Sequence, residues 1–136
     1  MEPFFEHKHK YIHRELQDVG EVFFLEKGFI DIGFELNKKD RPVLRVKKGA
    51  IIGGYNCTFN TKTMYVYKCA TRVEGYIIRK HAWQEILDSY DEISDIFKDI
   101  IKKDFFIKIK FKVASEKRNY MERLKKIGGF NHILSI

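Results

Sequence analysis

Signatures of catalysis are missing from this sequence. It contains no GxSxG, no Walker loop, no HExxH and no Cys/His set at zinc spacing. Gly49, Gly53 and Gly54 do not complete a GxGxxG. Only two cysteines occur, Cys57 and Cys69, and no CxxC. That excludes a disulfide framework, and both read as reduced thiols of a cytosolic compartment. No apolar run approaches the roughly 20 residues that a membrane span requires. Met1 to Arg14 is rich in aromatic residues and His and has no apolar signal core. The chain is therefore expected to be neither exported nor inserted by itself, which leaves open that it is the cytosolic part of a larger membrane protein.

What is present fits one folded domain. The 136 residues are 44% hydrophobic and 15% aromatic, enough for a sizeable core, and 33% charged. The net charge of +7 is unevenly spread. Met1 to Ser94 holds 15 Lys/Arg against 14 Asp/Glu, whereas Asp95 to Ile136 holds 11 against 5. One basic C-terminal segment, rather than a whole-domain nucleic-acid footprint, carries the excess.

The first part reads as short strands rich in aromatic and β-branched residues: His9–Arg14, Val22–Leu25, Phe29–Phe34 and Val43–Val46. Turn signals divide them at Asp18-Val19-Gly20, Lys27-Gly28 and the polar stretch Asn37 to Pro42. Ala50 to Ile52 runs into Gly53-Gly54. Tyr55 to Phe59 leads to a polar turn at Asn60 to Thr63, and Met64–Cys69 and Gly75–Ile78 read as two more strands. Such spacing predicts a barrel or sandwich. At His81 the pattern becomes helical: Trp83, Ile86, Leu87 and Tyr90, then Ile93, Ile96, Phe97, Ile100 and Ile101 on one face of a second helix. Ile107, Ile109, Phe111 and Val113 alternate with lysines, a period-2 pattern with no turn before it. Either strand or continuing helix fits, and the missing turn favours helix. Gly128-Gly129 is expected to end the regular structure.

Several clusters invite a chemical reading. Of His7, His9 and His13, the first two would share a strand face that could bind a metal, but nothing supplies a third and fourth ligand at a recognised spacing, and the three read as solvated or packed. Asp88, Asp91 and Glu92 fall in an interhelical turn, where capping and solvation account for them. Lys102 to Arg118 mixes lysine with aliphatic and aromatic residues. At helical spacing these pack on a body; an acidic partner or anionic lipid is a further reading, and nucleic acid a weaker one.

A longer constellation is more specific. Gly20 to Ile32, an apolar strand, a Gly turn and a second apolar strand, resembles the hairpin of cyclic-nucleotide-binding domains. Gly49-Ala50-Ile51-Ile52-Gly53-Gly54 is similar to the Gly-x-x-apolar-Gly-Glu opening of that family's phosphate-binding cassette. Ala70 to Lys80, followed by Trp83, Ile86 and Leu87, resembles the strand after the cassette and the first lid helix. The resemblance covers about Lys10 to Val113 and has the flavour of protist potassium-channel-like proteins.

The resemblance implies a mainly β-plus-α fold: a cyclic-nucleotide-binding-domain β-roll, of jelly-roll double-stranded β-helix type, followed by two C-terminal helices. The roll would span about 4–79, the lid helices about 81–114, and a basic extension 115–136, with Trp83 packed on the roll. It also implies a cytosolic, non-enzymatic regulatory domain of a cation (potassium) channel, attached to a transmembrane pore domain, homotetrameric in the full-length channel, with cyclic AMP or cyclic GMP as ligand and no other cofactor or metal. The basic stretch 117–126 would lie near anionic lipid. A ligand-independent docking module of the same fold is the alternative, and a nucleic-acid-binding β domain a lesser one.

The cassette itself is degenerate. The glycine at Gly53 lets the backbone approach a ligand, although a plain tight turn accounts for Gly53-Gly54 equally well. In the family a Glu follows and holds the ribose 2′-hydroxyl, and an Arg nine residues further on pairs with the cyclic phosphate. Here those positions hold Gly54 and Thr63, with Met64 in place of a small hydroxyl residue, Asn56 in the cassette helix, and Lys62 as a possible point charge. Losing two charged hydrogen bonds of about 1.5–3 kcal/mol each predicts weak or absent binding. Restoring both, as Gly54→Glu with Thr63→Arg, would be expected to create it, unless the protein's own side chains, Tyr55 or Met64, fill the pocket.

Overall fold

The computed structural model describes residues 1–135, with side chains described as far as Ile127. Eight strands precede the helices: β1 (Glu2–Glu6), β2 (Tyr11–His13), β3 (Glu21–Lys27), β4 (Ile30–Leu36), β5 (Lys39–Val46), β6 (Ile51–Ile52), β7 (Val66–Cys69) and β8 (Val73–Arg79). They form two four-stranded antiparallel sheets, ordered β1-β8-β3-β6 and β2-β7-β4-β5. This is the expected β-roll. Alternation along β3 and β4 aims Phe23, Leu25, Ile30 and Ile32 into a shared interior with Ile52 and Val73, each at most 3% exposed, while Val22 on the other face of β3 packs with Val19 and Cys57.

Two local readings change. Glu2–Glu6, rich in charge and containing Pro3, carries no strand signal, yet it adds an edge strand through pairing with β8 from Glu2↔Ile77 to Glu6↔Val73. The polar stretch Asn37 to Pro42 is mostly strand. The turn is only Asn37-Lys38, both at positive φ (54° and 62°), which closes the Leu36↔Lys39 pair as a two-residue hairpin. Pro42 is tolerated because β5 is an edge strand with one side unpaired. Tyr55 to Phe59 belongs to a short helix, α1 (Gly54–Phe59), lodged between β6 and β7.

α2 (Lys80–Asp88) and α3 (Asp91–Phe105) follow β8, with Asp91 and Glu92 in the first turn of α3. There, negative charge is favourable to the helix dipole, although no side chain closes the N-terminus by hydrogen bonding. The ambiguous segment is helical: a π-helical turn, Phe106–Lys110, leads without a break into α4 (Phe111–Ser135). The period-2 pattern is resolved by opposite faces. Ile109 and Val113 pack inward, while Ile107 and Phe111 are 63% and 59% exposed. The helix also passes through Gly128-Gly129, expected to end it, since glycine weakens a helix by about 1 kcal/mol each without blocking it. No interruption falls at residue 114: Tyr120 packs against Phe34 of β4 with ring centroids 6.0 Å apart, and the Arg41 guanidinium lies 4.9 Å from the Tyr120 ring.

The outward face of α3 differs from the sequence reading. Of Ile93, Ile96, Phe97, Ile100 and Ile101, only Ile101 turns toward the body. Ile93, Ile96, Phe97 and Ile100 are 38%, 58%, 41% and 55% exposed, while Ser94 and Phe105 are buried.

The candidate ligand site and its occlusion

Gly53 adopts φ +87° immediately before α1. A Cβ there would stand 2.7 Å from the carbonyl oxygen of Glu21 and 3.0 Å from Val19 Cγ1, so the turn requires glycine on two counts. Gly54 differs: as the first residue of α1 it has no positive φ, and a Cβ would meet only ordinary contacts, the nearest Ile51 Cγ2 at 3.5 Å. The absent carboxylate at position 54 is therefore not imposed by the backbone.

Two of the remaining candidate residues are engaged inside the fold. Asn56 is 4% exposed, and its amide donates to Thr61 Oγ1 at 3.2 Å and to the Lys62 carbonyl at 3.1 Å, closing the C-terminal end of the cassette. Thr63 is 1% exposed. Its hydroxyl donates to the Arg14 carbonyl and accepts the Gln17 N–H at 3.2 Å, while its own N–H donates to the Gln17 carbonyl at 2.9 Å. Thr63 thus pins the loop between β2 and β3 and is not aimed at a ligand. Met64 is 54% exposed and does not fill the interior. Lys62 is exposed as well, outside the cavity wall.

What lies between α1 and α3 is a cavity of about 90 Å³, walled by Gly53, Gly54, Asn56, Tyr67, Trp83 and Ile101. Two aromatic rings close it. Tyr55 and Phe105 stack with centroids 4.3 Å apart and planes 6° from parallel. Phe59, Tyr65 and Phe106 extend this cluster. The π turn widens the helix where Phe105 and Phe106, adjacent in sequence, both face inward. Among the described residues, the one ionisable carboxylate or ammonium on this wall is Asp104. The Tyr67 hydroxyl is held protonated, its pKa pushed well up by burial. Neither group attracts a phosphate.

The lid is tied to the cassette by hydrogen bonds. Trp83 Nε1 donates to Thr58 Oγ1 at 2.9 Å, Thr58 Oγ1 donates to the Gly54 carbonyl at 2.7 Å, and the Gln84 amide donates to the Cys57 carbonyl at 3.0 Å. Trp83 also packs on Val19, Val22 and Phe24, the contact with the roll expected from the sequence.

Other candidate groups are dispersed. His7 meets Phe5 edge-on, His9 borders a groove, and His13 is packed edge-on against Tyr67, 5.8 Å between centroids. Burial lowers the His13 pKa to about 4. Cys57 and Cys69 are buried free thiols, both pushed up to about 11 by burial. A larger groove of about 550 Å³ runs along the second sheet, distant from the cassette. Two of its cations are paired, Arg45 with Asp31 at 2.8 Å and Lys68 with Asp40 at 3.8 Å, while Lys8 and Arg41 also line it and Arg41 Nε is buried without a hydrogen-bond partner among the described residues.

Sequence reasoning placed Tyr55 among possible fillers but missed Phe105 and Phe106. The inward stripe of α3, Ser94, Lys98, Ile101 and Phe105, contains two polar residues and so hides behind the more apolar outward stripe.

No family model and no curated protein matches the chain. Solved structures do. The EAL enzyme Bd1971 in a form bound to cAMP and cyclic-di-GMP is similar with a TM-score of 0.67 and 18% identity, over 98% of this chain and 34% of that one. The C-linker/CNBHD of zELK channels, crystallised in the presence of cAMP, gives 0.63 and 21%, over 76% and 52%. The regulatory domain of Toxoplasma gondii PKA with cAMP gives 0.59 and 13%, over 68% and 38%. This chain thus spans about a third of the EAL enzyme and about half of the channel fragment. The two antiparallel four-stranded sheets and the helices that follow them have the fold of a cyclic-nucleotide-binding domain.

Proposed function

We propose that this chain is a non-enzymatic regulatory domain of cyclic-nucleotide-binding type whose pocket is occupied by its own side chains. The observation that carries the reading is the Tyr55–Phe105 stack across the space between α1 and α3. It leaves about 90 Å³, where ligand pockets run to roughly 300–1,000 Å³. With Gly54 and Thr63 at the two polar positions, an entering cyclic AMP or cyclic GMP would find neither a ribose acceptor nor a guanidinium. It would also have to displace a buried phenylalanine.

In this reading the domain belongs to the cytosolic side of a cation channel, potassium-conducting by its resemblance, and is joined to a pore domain in a homotetramer. The similarity to the zELK channel domain supports that placement. The exposed Arg118, Lys125 and Lys126 suit a position near anionic lipid, where each basic residue contributes about 1 kcal/mol.

Calorimetry and melting curves with cyclic AMP and cyclic GMP test the proposal. Wild type is expected to show no shift at micromolar or millimolar ligand, and Phe105→Ala, if folded, a measurable one only at millimolar ligand, because both polar contacts are still missing. Micromolar binding by wild type would refute self-occupation.

A further inference from the structure

α3 places its more apolar stripe outside. Ile93, Ile96, Phe97 and Ile100, with Ile107 about two turns beyond, are all exposed, whereas Ser94 and Lys98 lie on the side that meets the roll. A helix in water buries its apolar face, so this one is incomplete as it stands. Its charge distribution indicates what completes it. From Asp91 to Ile100 the helix carries four carboxylates (Asp91, Glu92, Asp95, Asp99) against one lysine. From Ile101 to Lys112 it carries five lysines (102, 103, 108, 110 and 112) against Asp104 alone.

We propose that the outward stripe of α3 is a self-association surface on which two copies of this chain pair their helices antiparallel about a two-fold axis at Ile100. In that arrangement Ile100 meets its own copy, and Ile93 lies level with the second copy's Ile107. The acidic half of each helix then faces the basic half of the other, with Glu92 level with the second copy's Lys108. Ile96 and Phe97 then lie level with the second copy's Asp104 and Lys103, whereas a parallel pair in register would set acid against acid and lysine against lysine, which is repulsive at contact distance. The surface is isologous, as a two-fold dimer requires. It lies on the opposite side of α3 from Phe105, so the pairing does not depend on what occupies the pocket.

Sedimentation equilibrium on the full chain should give twice the chain mass, and Ile100→Glu should give a single chain with an unchanged far-ultraviolet spectrum. Orientation is read by mild oxidation of cysteine variants, in which the buried Cys57 and Cys69 thiols do not compete. Ile100→Cys should cross-link to itself, and a mixture of Ile93→Cys and Ile107→Cys chains should cross-link to each other. Neither of those two alone should do so. A wild-type chain that stays monomeric at 100-micromolar concentrations would overturn the proposal, and so would self-cross-linking of Ile93→Cys, which reports a parallel pair.

Discussion

The indole of Trp83 and the hydroxyl of Thr58 are joined at 2.9 Å, which ties the first lid helix to the cassette helix. Trp83→Phe keeps the ring against Val19, Val22 and Phe24 but removes the donor. It is expected to cost about 1 kcal/mol, the usual net contribution of one hydrogen bond. Urea unfolding at constant m-value measures it. An unchanged midpoint would mean that the bond adds nothing beyond ring packing.

Gly53 and Gly54 are neighbours with opposite expectations. Gly53→Ala puts a Cβ at positive φ and 2.7 Å from the Glu21 carbonyl oxygen, so a loss of at least about 1–2 kcal/mol is expected. Gly54→Ala meets open contacts at the start of a helix and should be neutral or stabilising by up to about 1 kcal/mol. Paired thermal melts decide; equal losses at both sites would contradict the assigned backbone geometry.

Thr63 stands where the resemblance expects arginine, but its hydroxyl is consumed by the loop Arg14–Gln17. Thr63→Arg, alone or with Gly54→Glu, is therefore expected to destabilise the roll rather than build a phosphate contact. Thr63→Val, nearly isosteric, should lose about 1 kcal/mol, the usual net contribution of one hydrogen bond, because the Gln17 N–H and the Arg14 carbonyl lose their partner. Gain of cyclic-nucleotide binding by the folded double variant would reverse this conclusion.

His13 makes stability depend on acidity. Burial lowers its folded pKa from 6.5 to about 4. Between those values the unfolded chain binds a proton that the folded chain does not. The stabilisation is complete above about pH 6.5 and is lost as pH falls toward 4, about 3 kcal/mol in all. Unfolding free energies from pH 7 to 4 should fall with that slope, and His13→Phe should flatten this part of the curve.

Strands rich in aromatic and β-branched residues, β3 and β4 above all, were legible from their residues, as were the cassette glycines and the packing of Trp83. What was not legible depended on partners distant in sequence. Glu2–Glu6 is a strand because β8 offers an edge, not because its residues favour one. Thr63 and Asn56 were singled out by spacing, which says nothing about side-chain direction; the hydrogen bonds to Gln17 and Lys62 supply it. The rotation of α3 escaped notice because amphipathicity reports which stripe is more apolar, and here that stripe is not the one packed on the roll.

The π turn at Phe106–Lys110 fixes an azimuth. One wide turn holds about one residue more than an α turn, and one residue is about 100° of helix rotation. Were the turn α-helical, everything from Phe111 onward would be rotated by that angle. Val113 would leave the core, and the ring of Tyr120 would swing away from Phe34 and Arg41. A single residue of slack thus decides which side of a 25-residue helix faces the roll, and with it the compass bearing of every lysine and arginine that α4 presents.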